Sequence, residues 1–151
     1  MEILKGLLYI NNVDVYETYG AFLTEEKQGD TSNYDALMKP SEVKEQEEVS
    51  IRENDGVELP AEIIQSLKAR DVSLKFAISA KDKASFLSNY MSFLEMLRKG
   101  NKGWLDVYLP ELDMHFAFYY KSAEKYKQLT DFEGMVMGRF AVNFREPKPK
   151  F

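Results

Sequence analysis

The stretch RDVSLKFAISAKDKASFLSNYMSFLEMLRK, residues 70–99, decides the fold. Its first part places Val72, Leu74, Phe76 and Ile78 on one face and Asp71, Ser73, Lys75 and Ala77 on the other. That period of two predicts a strand with one buried face. The pattern then changes. Phe86, Leu87, Tyr90, Phe93, Leu94 and Leu97 recur at helical spacing, which predicts a helix over about 80–99, roughly 30 Å long at 1.5 Å per residue. Ser79 is the expected N-cap, and Asp82 stands where a capping box places an acid. Arg98 and Lys99 suit the negative C-terminal end, and Gly100 supplies the stop.

Downstream of the helix, WLDVYL (104–109) and MHFAFYY (114–120) flank Pro110-Glu-Leu-Asp and read as a hairpin. A weaker strand pattern follows over 121–129, with Ala123 and Tyr126. A last strand is expected from Met135 to Arg145, burying Phe140, Val142 and Phe144. Pro147 and Pro149 end it, because they have no N–H for a ladder. Upstream, ILKGLLYI (3–10) and VDVY (13–16) flank Asn11-Asn12, a pair that tolerates the positive φ of a tight hairpin turn. Gly20 breaks the chain, and Ala21-Phe22-Leu23 reads as a short buried piece. Residues 24–69 are long and mostly polar. They predict an acidic arm or loop, with one strand near 42–52 and a turn at Asn54-Asp55-Gly56. Strands, one long helix, then strands, without βαβ alternation, predict a single α+β domain spanning 1–151. The sheet should be mostly antiparallel, a sandwich or barrel with the helix packed against it.

The chain has 151 residues, 44% hydrophobic and 30% charged, with a net charge of −5. These values fit one globular domain and argue against a general nucleic-acid binder. No apolar run approaches the ~20 residues of a membrane helix. Residues 24–62 carry twelve acidic and four basic side chains, −8, leaving +3 elsewhere. Such a segment is a solvated face, a surface that repels something negative, or one that meets a basic partner. Cysteine is absent, which excludes disulfides, thiolate catalysis and Cys-ligated metals and suits synthesis in a reducing cytoplasm.

Catalytic patterns are missing. His115 is the single histidine and falls opposite Met114, Phe116 and Phe118, so it builds neither a triad nor a familiar zinc site. No phosphate-binding Gly-rich loop, HExxH or EF-hand occurs. Glu47 and Glu48, as strand neighbours, would diverge, and Glu111 with Asp113 sits at an exposed hairpin tip. No catalytic residue, cofactor or metal is expected. Aromatics are plentiful, and Trp104, Tyr108, Tyr119 and Tyr126 are candidate interface anchors.

The order of these features resembles the distal tail (baseplate hub) proteins of long-tailed, non-contractile bacteriophages. More narrowly, it is similar to their N-terminal belt domain as carried by phages and prophages of Bacteroides-like hosts. Four stretches carry the likeness: LYINNVDVYETYGAFL, DALMKPSEVKEQEEVSIRENDGVEL, ARDVSLKFAISAKDKASFLSNYMSFLEML and FAVNFREPKPKF. The likeness, in the order and spacing of these stretches, covers nearly the whole chain. The resemblance implies a virion tail component, made in the bacterial host cytoplasm, with a fold related to tail tube proteins. It implies a homo-oligomeric ring, typically six-fold, joining tube to tip beside other tail proteins, although the purified protein could be monomeric. DNA would pass through the ring without specific binding. In larger family members the chain continues past the Pro signature into a second domain. This sequence stops at Phe151, so the ring-forming role is the one expected of it. Under that reading Glu42, Glu45, Glu47, Glu48 and Glu53 are candidates for an acidic lining that repels DNA phosphates. Rival readings are a tail tube or tube-terminator subunit, and a small-molecule or peptide-binding module with a pocket of Trp104, Tyr108, Phe116 and Tyr119.

Overall fold

A computed structural model describes residues 5–24, 31–132 and 135–151. In chain order the elements are β1 (Tyr9–Ile10), β2 (Val13–Asp14), α1 (Val15–Tyr19), β3 (Ala21–Leu23), α2 (Ser32–Met38), β4 (Arg70–Ala80), α3 (Lys83–Lys99), β5 (Leu105–Leu109), β6 (Met114–Phe132) and β7 (Met135–Glu146). The strands form one antiparallel sheet in the order β2-β1-β5-β6-β7-β4-β3. The fold is α+β, with an antiparallel sheet as its main component and α3 as the long helix.

The alternation read over 70–79 is the central strand β4. It pairs along its whole length with β7, from Arg70↔Glu146 to Ala80↔Val136. Val72, Leu74, Phe76 and Ile78 face inward with Phe140, Val142 and Phe144, and all of them are buried. Phe86, Phe93 and Leu97 of α3 close over this face. Phe93 sits 5.3 Å from Phe76, ring centre to ring centre, and 6.1 Å from Phe140. A ring pair at that separation gains more than its buried area alone.

The second strand of the hairpin and the weaker strand read downstream are one continuous strand, β6. The first five residues of β6 pair with β5, and from Tyr119 onward β6 pairs with β7. It thereby joins the two halves of the sheet. Irregularities follow the changeover, at Tyr120/Ser122 and Glu124/Lys127, the second containing Lys125 at φ +58°. Phe116 and Phe118 therefore enter the same core as Phe144, with Phe118 stacked 5.4 Å from it.

Three expectations are corrected. The helix starts at Lys83 rather than 80: Ser79 stays in β4, and Asp82 is the N-cap, accepting from Ser85 N at 2.7 Å. Hydrogen bonds from Ser85 hold the Asp82 carboxyl below its usual range. The segment expected as a strand near 42–52 contains only isolated bridges, Val43↔Leu67 and Val49↔Glu58. The polar segment 24–69 also holds the helix α2, which no strong apolar period announces. Of that segment, residues 25–30, with Glu25, Glu26, Lys27, Gly29 and Asp30, lie outside the described residues.

The N-terminal hairpin turns as its sequence requires, with Asn11 and Asn12 at φ +52° and +66°. Gly20 ends α1 at φ +68°, and a Cβ there would lie 2.5 Å from the Ser79 carbonyl oxygen, which excludes any larger residue. Beyond Leu23, α2 takes over the edge of β4. The Asn33 side chain accepts from Lys75 N at 2.7 Å and donates to the carbonyls of Thr24 and Lys75, at 2.9 and 3.2 Å. One buried amide thus replaces a stretch of partner strand. Asn33→Ala leaves Lys75 N–H without this acceptor and is expected to cost about 2 kcal/mol in urea unfolding. A loss under about 0.5 kcal/mol would show that the edge is satisfied in another way.

Candidate assembly surfaces

Residues 41–69 leave the domain as an arm. The outgoing and returning legs are held by backbone bonds at both ends: Lys68 N to Glu42 O and Lys44 N to Ser66 O near the root, and a reciprocal pair between Val49 and Glu58 near the tip. The Asn54-Asp55-Gly56 group makes the expected turn, with Asn54 N bonded to Ile51 O and Gly56 at φ +71°. Gln46 Nε2 adds a bond to the Ile64 carbonyl. The arm has no core of its own. Val43, Val49, Ile51, Val57, Leu59, Ile63 and Ile64 are 40–71% exposed. A lone two-stranded hairpin is marginal in water, and a row of exposed apolar side chains this long marks a contact surface.

The five candidate acids Glu42, Glu45, Glu47, Glu48 and Glu53 all lie on this arm and are all exposed. Glu42 pairs with Lys68 at 3.8 Å. Between residues 41 and 69 eight carboxylates face Lys44, Arg52 and Lys68 alone. The arm is therefore apolar and acidic together.

Its root is fixed by Arg70, the first residue of β4. Arg70 Nε lies 2.6 Å from Glu146 Oε1, and both side chains are at least nine-tenths buried. Arg70 Nη1 donates to the Lys39 carbonyl at the end of α2. The guanidinium lies between two rings, 5.8 Å from Phe116 and 5.4 Å from Phe151. Ser41 N, the first residue of the arm, bonds to the Phe151 carbonyl. The segment after β7, with Pro147 and Pro149, thus folds back to hold the arm where it leaves the domain. Neither Arg70 nor Glu146 stood out in the sequence, since they meet only across the register of β4 and β7.

The four candidate aromatics fall in three places. Trp104 and Tyr119 meet edge to face at 6.5 Å, and both are exposed. Tyr108 stacks on His115 at 4.3 Å and donates from its hydroxyl to Asp113. Tyr126 lies 5.3 Å from Tyr90 of α3. Phe116 faces the core and is 1% exposed, on the opposite side of β6 from Tyr119, so Trp104, Tyr108, Phe116 and Tyr119 do not line one pocket. His115 is on the surface, 3.0 Å from Asp106.

A cleft of about 280 Å³ lies between α1, β3, α2 and the β5–β6 turn. Its carboxylates are already engaged. Asp14 caps α1 and accepts from Gly6 N at 2.7 Å, while Glu111 accepts from the Tyr34 hydroxyl. Burial and that hydrogen bond push Tyr34 up to about 12. Among the described residues no three acidic or histidine side chains gather to hold a metal. No helix among them is long and apolar enough to cross a membrane.

No family model and no curated protein matches the chain. A solved structure does. The fold is that of a phage hub protein, the SPP1 Dit protein (gp 19.1), at a TM-score of 0.58 and 11% identity. That protein's crystal structure is described as a paradigm of the hub adsorption apparatus in phages infecting Gram-positive bacteria. The likeness covers 93% of this chain and 49% of the SPP1 protein, so this chain spans about half that length.

Proposed function

We propose that this chain is a structural subunit of a phage or prophage tail. Copies of it close into a ring at the junction of tube and tip, around the passage for DNA. The observation that carries the reading is the arm: seven apolar side chains held in water by a domain whose fold otherwise follows a tail hub protein. A monomer gains nothing from such an arm. A head-to-tail ring does, because every copy then offers the arm to the next and the contact closes on itself. The six-fold count and a version carried by phages of Bacteroides-like hosts belong to the same proposal. So does the acidic lining: Glu42, Glu45, Glu47, Glu48 and Glu53, where they face the passage, repel phosphates that lysines there would bind.

Negative-stain images of the full chain at high concentration test the reading. Closed rings with a central opening are expected, and deletion of residues 43–66 should abolish them while leaving a folded monomer. Continuous tubes would favour the tube-subunit reading instead, and monomers alone, even with the other tail proteins of the same genome present, would overturn the proposal.

A further inference from the structure

We infer that the arm docks on the solvent flank of α3, together with the Trp104–Tyr119 corner, of a second copy of this chain; this rests on the ring reading above. Leu87, Met91 and Arg98 stand at i, i+4 and i+11 and so share one ridge of α3, turned away from the buried Phe86, Phe93 and Leu97. Leu87 is 56% exposed and Met91 61%. At the C-terminal end of the ridge, Arg98 and Lys102 frame a shallow depression of about 350 Å³ with Trp104, Tyr119 and Tyr120. Among the described residues neither cation has a carboxylate within ion-pair distance, because Glu95 pairs with Lys99 at 2.7 Å. The strip is therefore apolar at Leu87 and Met91 and carries Arg98 and Lys102 at one end, where Glu95, at i+4 from Met91, is held by Lys99. The arm is apolar along its length and negative throughout.

A head-to-tail contact needs two different, complementary surfaces on the same chain, and these two fit each other in both respects. Apolar burial supplies most of the affinity, while charge sets orientation and rejects the wrong register. A second basic surface exists on the outer face of the sheet, a depression of about 210 Å³ with Lys75, Lys125, Lys127 and Arg139. It has more charge, but the apolar residues in it, Phe140 and Ala141, are buried. An arm laid there would keep Val49, Ile51 and Ile64 against ammonium groups and water. The α3 strip covers them.

The absence of cysteine makes the test clean. Full-length Ile51→Cys protein is mixed with Met91→Cys protein at high concentration, treated with a short bis-maleimide, and compared with a mixture of Ile51→Cys and Arg139→Cys. Cross-linked dimers are expected in at least about tenfold excess in the first mixture. Met91→Asp, at an exposed position, should leave the melting temperature unchanged and weaken self-association in sedimentation by about tenfold or more, as loss of a central apolar anchor does. Equal or preferential capture of Arg139→Cys, or unaltered association of Met91→Asp, overturns the docking site. If closed rings still form in that case, the ring reading stands without it. If sedimentation shows no assembly and neither mixture cross-links, both fall.

Discussion

Glu146→Ala is expected to lower the stability of the domain by about 3–5 kcal/mol, the usual loss when one partner of a buried ion pair is removed. Glu146 is 1% exposed and its carboxylate meets Arg70 Nε at 2.6 Å. Removing it leaves a guanidinium that cannot lose its proton, held among Phe116, Phe151 and the Lys39 carbonyl. The charge cannot be neutralised in place, so the side chain must swing out or the strand ends must part. In either case the root of the arm loosens, because the Phe151 carbonyl that holds Ser41 belongs to the same cluster. Thermal unfolding should shift down by roughly 10 °C for a domain of this size. Limited proteolysis should cut first between residues 39 and 70, before the core opens. The double variant Arg70→Met/Glu146→Leu should regain much of the stability, since a buried pair exchanged for apolar side chains is often neutral or better. It should not regain the protease resistance of the arm, which depends on the bond from Arg70 Nη1 to Lys39. If Glu146→Ala melts within about 2 °C of the parent, the pair is solvated and its role at the root is wrong.

This pair also shows where the sequence could be read and where it could not. Strand β4, helix α3, the β5–β6 hairpin and β7 were legible because each carries its own period, two or 3.6, over enough residues to stand above chance. The turn at Asn11-Asn12 was legible because few residues accept positive φ. The arm was legible as acidic and polar but not as two bridged legs. Its apolar residues alternate too loosely to predict a strand, and among the described residues nothing covers them to fix a face. Helix α2 was missed because it is seven residues long, and its stability comes from Leu37 in the core and from Asn33 serving β4, both distant in sequence. The shift of the helix start from Ser79 to Asp82 follows from pairing. Ser79 and Ala80 stand opposite Met137 and Val136, so the ladder carries the chain past both before the helix begins. The candidate interface aromatics rest on residue type alone. Type does not say which face a strand turns outward, so Trp104 and Tyr119 met while Tyr108 and Tyr126 went elsewhere. Arg70 and Glu146 carry no local signal, since their partnership exists only once β4 and β7 are in register.

Phe76→Ala should cost a similar amount, about 3–5 kcal/mol, for a different reason. The ring is fully buried and sits at the centre of the aromatic cluster, 5.3 Å from Phe93, 6.1 Å from Phe140 and 6.4 Å from Phe144. Truncation removes the transfer energy of the ring and leaves a cavity walled by α3 on one side and β7 on the other. The rigid pairing of β4 with β7 keeps the sheet side from collapsing into it, which places the cost in the upper part of the range. Phe76→Leu, which fills most of the space, should cost only about 1–2 kcal/mol. Leu87→Ala, eleven residues further along but on the exposed ridge of α3, should change stability by no more than about 0.5 kcal/mol. The three variants together separate core from surface on the same helix–sheet unit, by urea midpoints at a constant m value. They also separate folding from assembly. Phe76→Ala frees α3 from its anchor and should impair self-association only as far as it unfolds the domain, whereas Leu87→Ala should weaken association with the melt unchanged. A Phe76→Ala loss no larger than that of Leu87→Ala would mean that α3 does not pack on β4, and the ridge offered to a neighbouring arm would then have no fixed position from which to act.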